Sequence, residues 1–256
     1  MSIDPQKVVL DYLNKNGFPV EMKIAKELKK VGLGVTQSYF YQDPLTGQSR
    51  EIDILGLYQK TIKDAMFNII FIIECKYAKT PWILFTSNIG LGDSRKCYLT
   101  NKLGSHFLSE IANHEKLDDL FEVTKKYGFG LTVSIGETDD QKNNAYKSIQ
   151  TLLNFLKSEN KNDTLSYQKS YNLFVPIIVI KGKLFEAFLD DDDNLECNEI
   201  SEGQIFYKDT ISNFIPKIHI ITDSQITSFA KKLSNDCNKI FESLAASFDE
   251  IVIKER

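Results

Sequence analysis

The sequence predicts an α/β sandwich built around a mixed β-sheet flanked by helices. Three features carry that prediction. A helical pattern is followed directly by three strand-like segments before residue 77. A second helical stripe near residue 150 leads into short apolar strands. An amphipathic helix then closes the order.

Residues 5–13 read as a short helix and residues 14–18 as a turn. Residues 19–31 form a second helix, with Pro19 at the first helical position and Gly32 just past the end. Residues 33–42 are rich in aromatic and β-branched side chains, which suit a pleated surface. The run Asp43-Pro44-Leu45-Thr46-Gly47 is a turn. Residues 50–57 alternate polar and apolar, and residues 67–76 form an apolar strand ending in charge, so the three strands make an antiparallel meander. Residues 80–137 mix Gly-rich turns with a helix around 105–127. They read as an insertion between the third core strand and the second core helix. Within residues 145–156, Ile149, Leu152, Leu153 and Leu156 recur at helix spacing. Residues 174–180, Gly182 and residues 184–189 read as a hairpin of two apolar strands. Residues 218–221 read as another strand, and 224–244 as the closing helix. No repeat or low-complexity linker divides the chain, so residues 1–256 are read as a single domain.

With 42% hydrophobic and 26% charged residues, the chain can bury one sizeable core. No apolar run approaches the roughly 18–20 residues that cross a bilayer. The first residues lack a basic-then-apolar leader, so a cytoplasmic protein without membrane contact is expected. Cys75, Cys97, Cys197 and Cys237 are widely spaced with no CxxC, which argues against a zinc site and against a disulfide framework. A net charge of -4 argues against a protein that merely coats nucleic acid, because such affinity comes from neutralising phosphates. A local basic face, or a metal site made of carboxylates, remains compatible with that total.

Strand geometry singles out Asp53, Glu74 and Lys76. Side chains alternate, so Glu74 and Lys76 share a face and Cys75 points away. In a hairpin turning at residues 61–65, Asp53 with Glu74 and Glu51 with Lys76 are both symmetric about the midpoint between Lys63 and Asp64. Asp53 and Glu74 then face each other, with Cβ atoms about 5 Å apart. Opposed carboxylates repel unless a cation lies between them, and hard oxygen ligands suit Mg²⁺. Lys76, one pleat away, could orient or deprotonate a water, or neutralise charge developing on phosphorus. The blander reading is a strand end finishing in solvated charges.

The segment Arg50-Glu51-Ile52-Asp53-Ile54-Leu55-Gly56, followed by Ile72-Ile73-Glu74-Cys75-Lys76, resembles the PD-(D/E)XK nuclease superfamily, the restriction-endonuclease-like phosphodiesterases. The stretch from Tyr39 to Gly47, and Lys79-Thr80-Pro81-Trp82, look like the first strand and turn and the basic-Pro-Trp tail of one branch of it. The likeness covers roughly residues 17–85. Ile52 stands where the family name has Pro. The resemblance implies an αβββαβ core in a single nuclease-like domain. It also implies Mg²⁺-dependent (or Mn²⁺-dependent) cleavage of a nucleic-acid backbone, DNA before RNA, as in restriction, phage defence or repair. Asp53 and Glu74 would ligate the metal and Lys76 would assist the attacking water. Glu21 is the fourth candidate, as a catalytic and metal-binding carboxylate on the first core helix. On a helical wheel it falls within about 20° of Leu28, on the apolar side marked by Val20, Ile24, Leu28 and Val31. Its alternative role is to complement the helix dipole. Glu27, at the other edge of the stripe, is expected at the surface.

Arg50 and Lys79 are candidates for nucleic-acid contact, against ordinary solvated charges. Trp82 could stack on substrate or sit in the core, and Gln150 lies on the expected second core helix. His106, His114 and His219 form no spaced cluster. The run Asp190–Asp193 lacks the spacing of a calcium loop and reads as a solvated hairpin end. There is no GxxxxGK[ST] motif. The competing function is a nuclease-fold module that does not cut and instead binds DNA or a protein partner. The expected partner is nucleic acid, without a membrane, and self-association into a homodimer stays open.

Overall fold

The computed structural model describes residues 4–15, 17–63, 65–87, 126–133, 144–162, 170–207 and 216–254. The chain opens with α1 (Pro5–Lys15) and α2 (Phe18–Lys30), then the meander β1 (Gly34–Gln42), β2 (Ser49–Ile62) and β3 (Ala65–Tyr77). After β4 (Trp82–Ser87) and β5 (Tyr127–Val133) come α3 (Asn144–Asn162), β6 (Ser170–Lys181), β7 (Leu184–Leu189), β8 (Leu195–Ile200), β9 (Glu202–Phe206) and β10 (Lys217–Thr222). A single 3₁₀ turn, Asp223–Gln225, leads into α4 (Ile226–Lys254). The fold is α/β, with one mixed ten-stranded sheet in the order β1-β2-β3-β6-β10-β9-β5-β4-β7-β8. No described helix is long and apolar enough to cross a membrane.

β3 and β6 lie side by side in parallel, and β10 runs parallel to β6 on its other side. These central strands are covered on both faces, which is why they read as continuous apolar runs rather than alternating ones. On one face α2 and α4 cover Ile54, Phe71, Ile73, Val175 and Val179 with Ile24, Leu28, Phe229, Leu233 and Phe241. On the other, α3 covers Ile72, Ile178, Ile218 and Ile220 with Ile149, Leu152, Leu153 and Phe155, and Trp82 joins this second core. The ends of α2 follow from its sequence: Gly17 precedes it in a left-handed conformation, Pro19 occupies its first turn, and Gly32 beyond it has φ 89°.

Four expectations need correction. β6 and β7 are not a hairpin: β6 pairs with β3 and β10, whereas β7 pairs with β4 and β8. The chain turns between them at Gly182, where a Cβ would meet the carbonyl oxygen of Ala78 at 2.7 Å. Residues 80–137 are not only an insertion, because β4 and β5 are strands of the same sheet. Most of the helix expected at 105–127 lies outside the described residues, but its last residue, Tyr127, starts β5. Glu27 is not at the surface. α4 packs against α2 and buries it, and Lys30 Nζ donates to Glu27 Oε1 at 2.6 Å, which holds the carboxyl below its ordinary pKa.

Asp43 anchors the β1–β2 turn to α3. Its Oδ1 accepts the N–H groups of Leu45 (2.9 Å) and Thr46 (3.2 Å), and its Oδ2 accepts Arg50 Nε and Asn154 Nδ2, both at 3.2 Å. Burial alone would raise its pKa, but the two N–H donors and the Arg50 guanidinium outweigh burial and leave it lowered. The Asp43 contribution is therefore complete above pH about 4 and is lost as pH falls through the lowered folded value. Asp43→Ala should cost about 3 kcal/mol at neutral pH. Urea midpoints followed down to pH about 2 should fall less steeply for this variant than for the parent chain.

Candidate active site

The β2–β3 ladder runs from Ile62↔Ala65 to Ile54↔Ile73, the register that the symmetry about Lys63 and Asp64 implies. The ladder stops there: Asp53 and Glu74, which the same symmetry would pair next and which were expected to face each other, do not form a ladder pair. Strand alternation would place Ile52 and Ile54 on one face. Ile54 nevertheless belongs to the core under α2 and α4, and Ile52 to the core under α3. β2 therefore turns over between them, at Asp53. Its neighbour turns over at the same level. Val35 packs on the first core and Tyr41 lies in the second, and between them Ser38 has φ 54°. No Ser38–Asp53 pair forms, although Gln37↔Ile54 and Tyr39↔Ile52 pair on either side. A left-handed non-glycine residue costs on the order of 1–2 kcal/mol, and such strain tends to sit at functional positions.

This crossover aims the Asp53 side chain at β3, where Asp53 Oδ2 accepts the backbone N–H of Cys75 at 2.6 Å. Glu74 lies on the face of Ile72, with 5% exposure. Its Oε1 accepts a hydrogen bond from Lys76 Nζ, and its buried Oε2 has no hydrogen-bond partner among the described residues. Glu21 approaches from α2, half-buried.

The charges on these groups act on one another. Burial, then Lys76 in opposition and Asp53 in support, leaves the Glu74 carboxyl raised to about 7. Glu21 is also raised to about 7, first by burial, then by Asp53 and Glu51, with Lys76 opposing. Burial raises Asp53 as well, against Lys76 and the Cys75 N–H. Burial alone would lower Lys76, but Glu74 and Asp53 outweigh it, so its pKa is raised and its ammonium stays protonated at neutral pH. The structure thus brings Glu21, Asp53, Glu74 and Lys76 into one electrostatic neighbourhood.

Two further side chains join them. Exposed Glu51 bears on both Glu21 and Asp53. The Tyr41 hydroxyl is pushed up to about 12 by burial, by Asp43 and, more weakly, by Glu74. Nothing in the alternation of β1 marks Tyr41, because the turnover at Ser38 leaves no pattern in the sequence.

Among the described residues, no three His, Cys, Asp or Glu side chains are gathered so as to hold a metal ion by themselves. The observation that fits a divalent cation is narrower. Glu74 Oε2 is buried and unpartnered, and the charge of Asp53 acts on it. Mg²⁺ characteristically takes one or two carboxylates and completes its octahedron with water and phosphate oxygens.

The remaining candidates lie elsewhere. Arg50 is held by Asp43 at the β1–β2 turn. Lys79 is exposed just past β3. Trp82 is a core residue at 2% exposure. Gln150 Nε2 faces the Tyr207 hydroxyl at 3.5 Å. His219 is buried against Phe229. His106, His114 and Cys97 fall outside the described residues. Asp190 Oδ1 caps the β7–β8 turn by accepting the N–H groups of Asp192 and Asn194. Cys75 and Cys237 are buried free thiols, whereas Cys197 is exposed on β8. Comparison with family models, curated proteins and solved structures found no match.

The raised Glu21 pKa makes a stability prediction. Stability tied to its protonated form is present below pH about 4.5 and is lost as pH rises through about 7. Glu21→Gln should therefore leave stability unchanged near pH 4.5. At pH about 8 without divalent cations it should raise stability by about 1 kcal/mol, solvent screening at this half-exposed site having reduced the effect. Urea unfolding in EDTA at the two pH values measures the difference.

Proposed function

We propose that the chain is a metal-dependent phosphodiesterase of the PD-(D/E)XK kind that hydrolyses a nucleic-acid backbone. The observation that carries this reading is the gathering of Glu21, Asp53 and Glu74 around the protonated Lys76, at the point where β1 and β2 turn over. The order α2-β1-β2-β3, then α3-β6 after the intervening β4 and β5, with β6 parallel beside β3, is compatible with the αβββαβ core of that superfamily.

Asp53 and Glu74 are the residues that would hold Mg²⁺, with Glu21 able to join them. The ion, when bound, supplies Lewis-acid polarisation of a phosphoryl oxygen. Lys76, being charged, serves as a hydrogen-bond donor to the negative charge that grows on the phosphoryl oxygens, and not as a base. A carboxyl with a pKa near 7 is matched to proton transfer at neutral pH. Glu21, the half-exposed one, would accept the proton of the attacking water when it is not itself a metal ligand. The water oxygen bonds to phosphorus as the bond to the sugar oxygen breaks, and the leaving alkoxide takes a proton from Lys76 or from solvent.

The purified chain, assayed on single- and double-stranded DNA and RNA, should cut in Mg²⁺ or Mn²⁺ and not in EDTA. Asp53→Ala and Lys76→Ala should each lower the rate at least about 10²-fold with unchanged circular dichroism. Cleavage should rise with pH through the range in which Glu21 and Glu74 lose their protons, which metal-free lies near 7. The second reading is a nuclease-fold module that binds without cutting. Binding with no turnover in either metal would establish that reading and overturn the first.

A further inference from the structure

Two exposed runs of side chains lead away from the acid cluster and meet. On β3, Tyr77 follows Lys76 but, by strand alternation, faces the other side of the sheet, that of Cys75 and of α2, which carries Glu21; it is a strand-end aromatic that is 44% exposed. The register places Lys181 of β6 beside Tyr77, and Lys181 Nζ lies 5.5 Å from the Tyr77 ring centroid. On α2, Phe18 stands one turn before Glu21, so the two share a side of the helix. Phe18 is 37% exposed, and its ring lies 6.3 Å from that of Tyr12 on α1, itself 60% exposed. The runs join at Gly17, where a Cβ would touch Tyr77 Cβ at 3.8 Å. The last turn of α1 adds exposed Lys15.

Such a strip has no use in the packing of the core. Three aromatic rings stand partly in water, and a cation lies over one of them. Aromatic faces of this kind stack on nucleobases whatever their identity, and neighbouring lysines meet the intervening phosphates. A base can stack on a protein ring only when it is free of its own duplex. We propose that Tyr77, with Phe18, Tyr12 and Lys181, forms a stacking strip that delivers an unpaired nucleic-acid strand to the acid cluster. The substrate is then single-stranded, or a single-stranded end or flap. This inference deepens the nuclease reading and rests on it for the fate of the strand, but not for its binding.

The test is fluorescence anisotropy with a labelled oligothymidylate, and with a labelled duplex of the same length, in EDTA so that nothing is cut. The parent chain should bind the single strand more tightly than the duplex. Tyr77→Ala should weaken single-strand binding about tenfold, and Tyr77→Phe should leave it unchanged because the ring face and not the hydroxyl does the work. Lys181→Ala should lower the slope of log affinity against log salt by about one. Equal binding by Tyr77→Ala and the parent, tighter binding to the duplex, or no strand binding at all would overturn the strip. Cleavage assays fail independently: a chain that binds the strand but never cuts retains the strip and loses the nuclease. A chain that cuts with the same KM in Tyr77→Ala retains the nuclease and loses the strip.

Discussion

The constraint on which the site depends is the burial of Glu74. A carboxylate taken out of water must be offset by partners or give up its charge. Glu74 receives only part of the required compensation, one oxygen paired with Lys76 and the other unpartnered. Asp53 and Glu21 add negative charge on top of that deficit. Strand packing alone would favour an apolar residue at this position. Under the proposed reading, the compensating positive charge would come from a bound divalent cation.

Geometry supplies the second half. β3 is held between β2 and β6 and is buried on both faces for most of its length, so its C-terminal end is a rigid platform for Glu74 and Lys76. β1 and β2, nearer the sheet edge, are free to turn over at Ser38 and Asp53. That turnover costs strain and a missing ladder pair. It brings a carboxylate that ordinary alternation would commit to one face to the seam between the two cores. α2, clamped on the first core by Ile24 and Leu28, then presents Glu21 to the same seam.

The distribution of roles among charged residues follows the partners that each buried group meets and not residue type. Lys76 is surrounded by acids and stays protonated, which makes it an electrostatic partner. Glu21, with more solvent access, holds a proton affinity near neutrality. Asp43 has the opposite fate. It is as buried as Glu74, yet four donors satisfy it, and the N–H groups of Leu45 and Thr46 with the Arg50 guanidinium lower its pKa, so it ties a turn to a helix. A sequence offers no such distinction between Asp43, in the β1–β2 turn, and Asp53, ten residues on in β2.

Local pattern was enough for the meander, the two ends of α2, the helical stripe of α3 and the β2–β3 register, because each follows from periodicity or from symmetry about one short turn. It was enough, too, for placing Glu74 and Lys76 on one face and for turning Glu21 toward the apolar side of α2. The separation of β6 from β7, the recruitment of β4 and β5 into the sheet, and the places of exposed β8 and buried β9 depend on pairings between segments far apart in the chain. Short apolar runs are compatible with several such partners, and the packing of whole layers selects among them. The turnover at Ser38 and Asp53, and with it the meeting of Tyr41, Glu51 and the three acids, was likewise decided by tertiary structure. A left-handed serine is unfavourable on its own and persists only because the two cores on either side hold the strands that flank it.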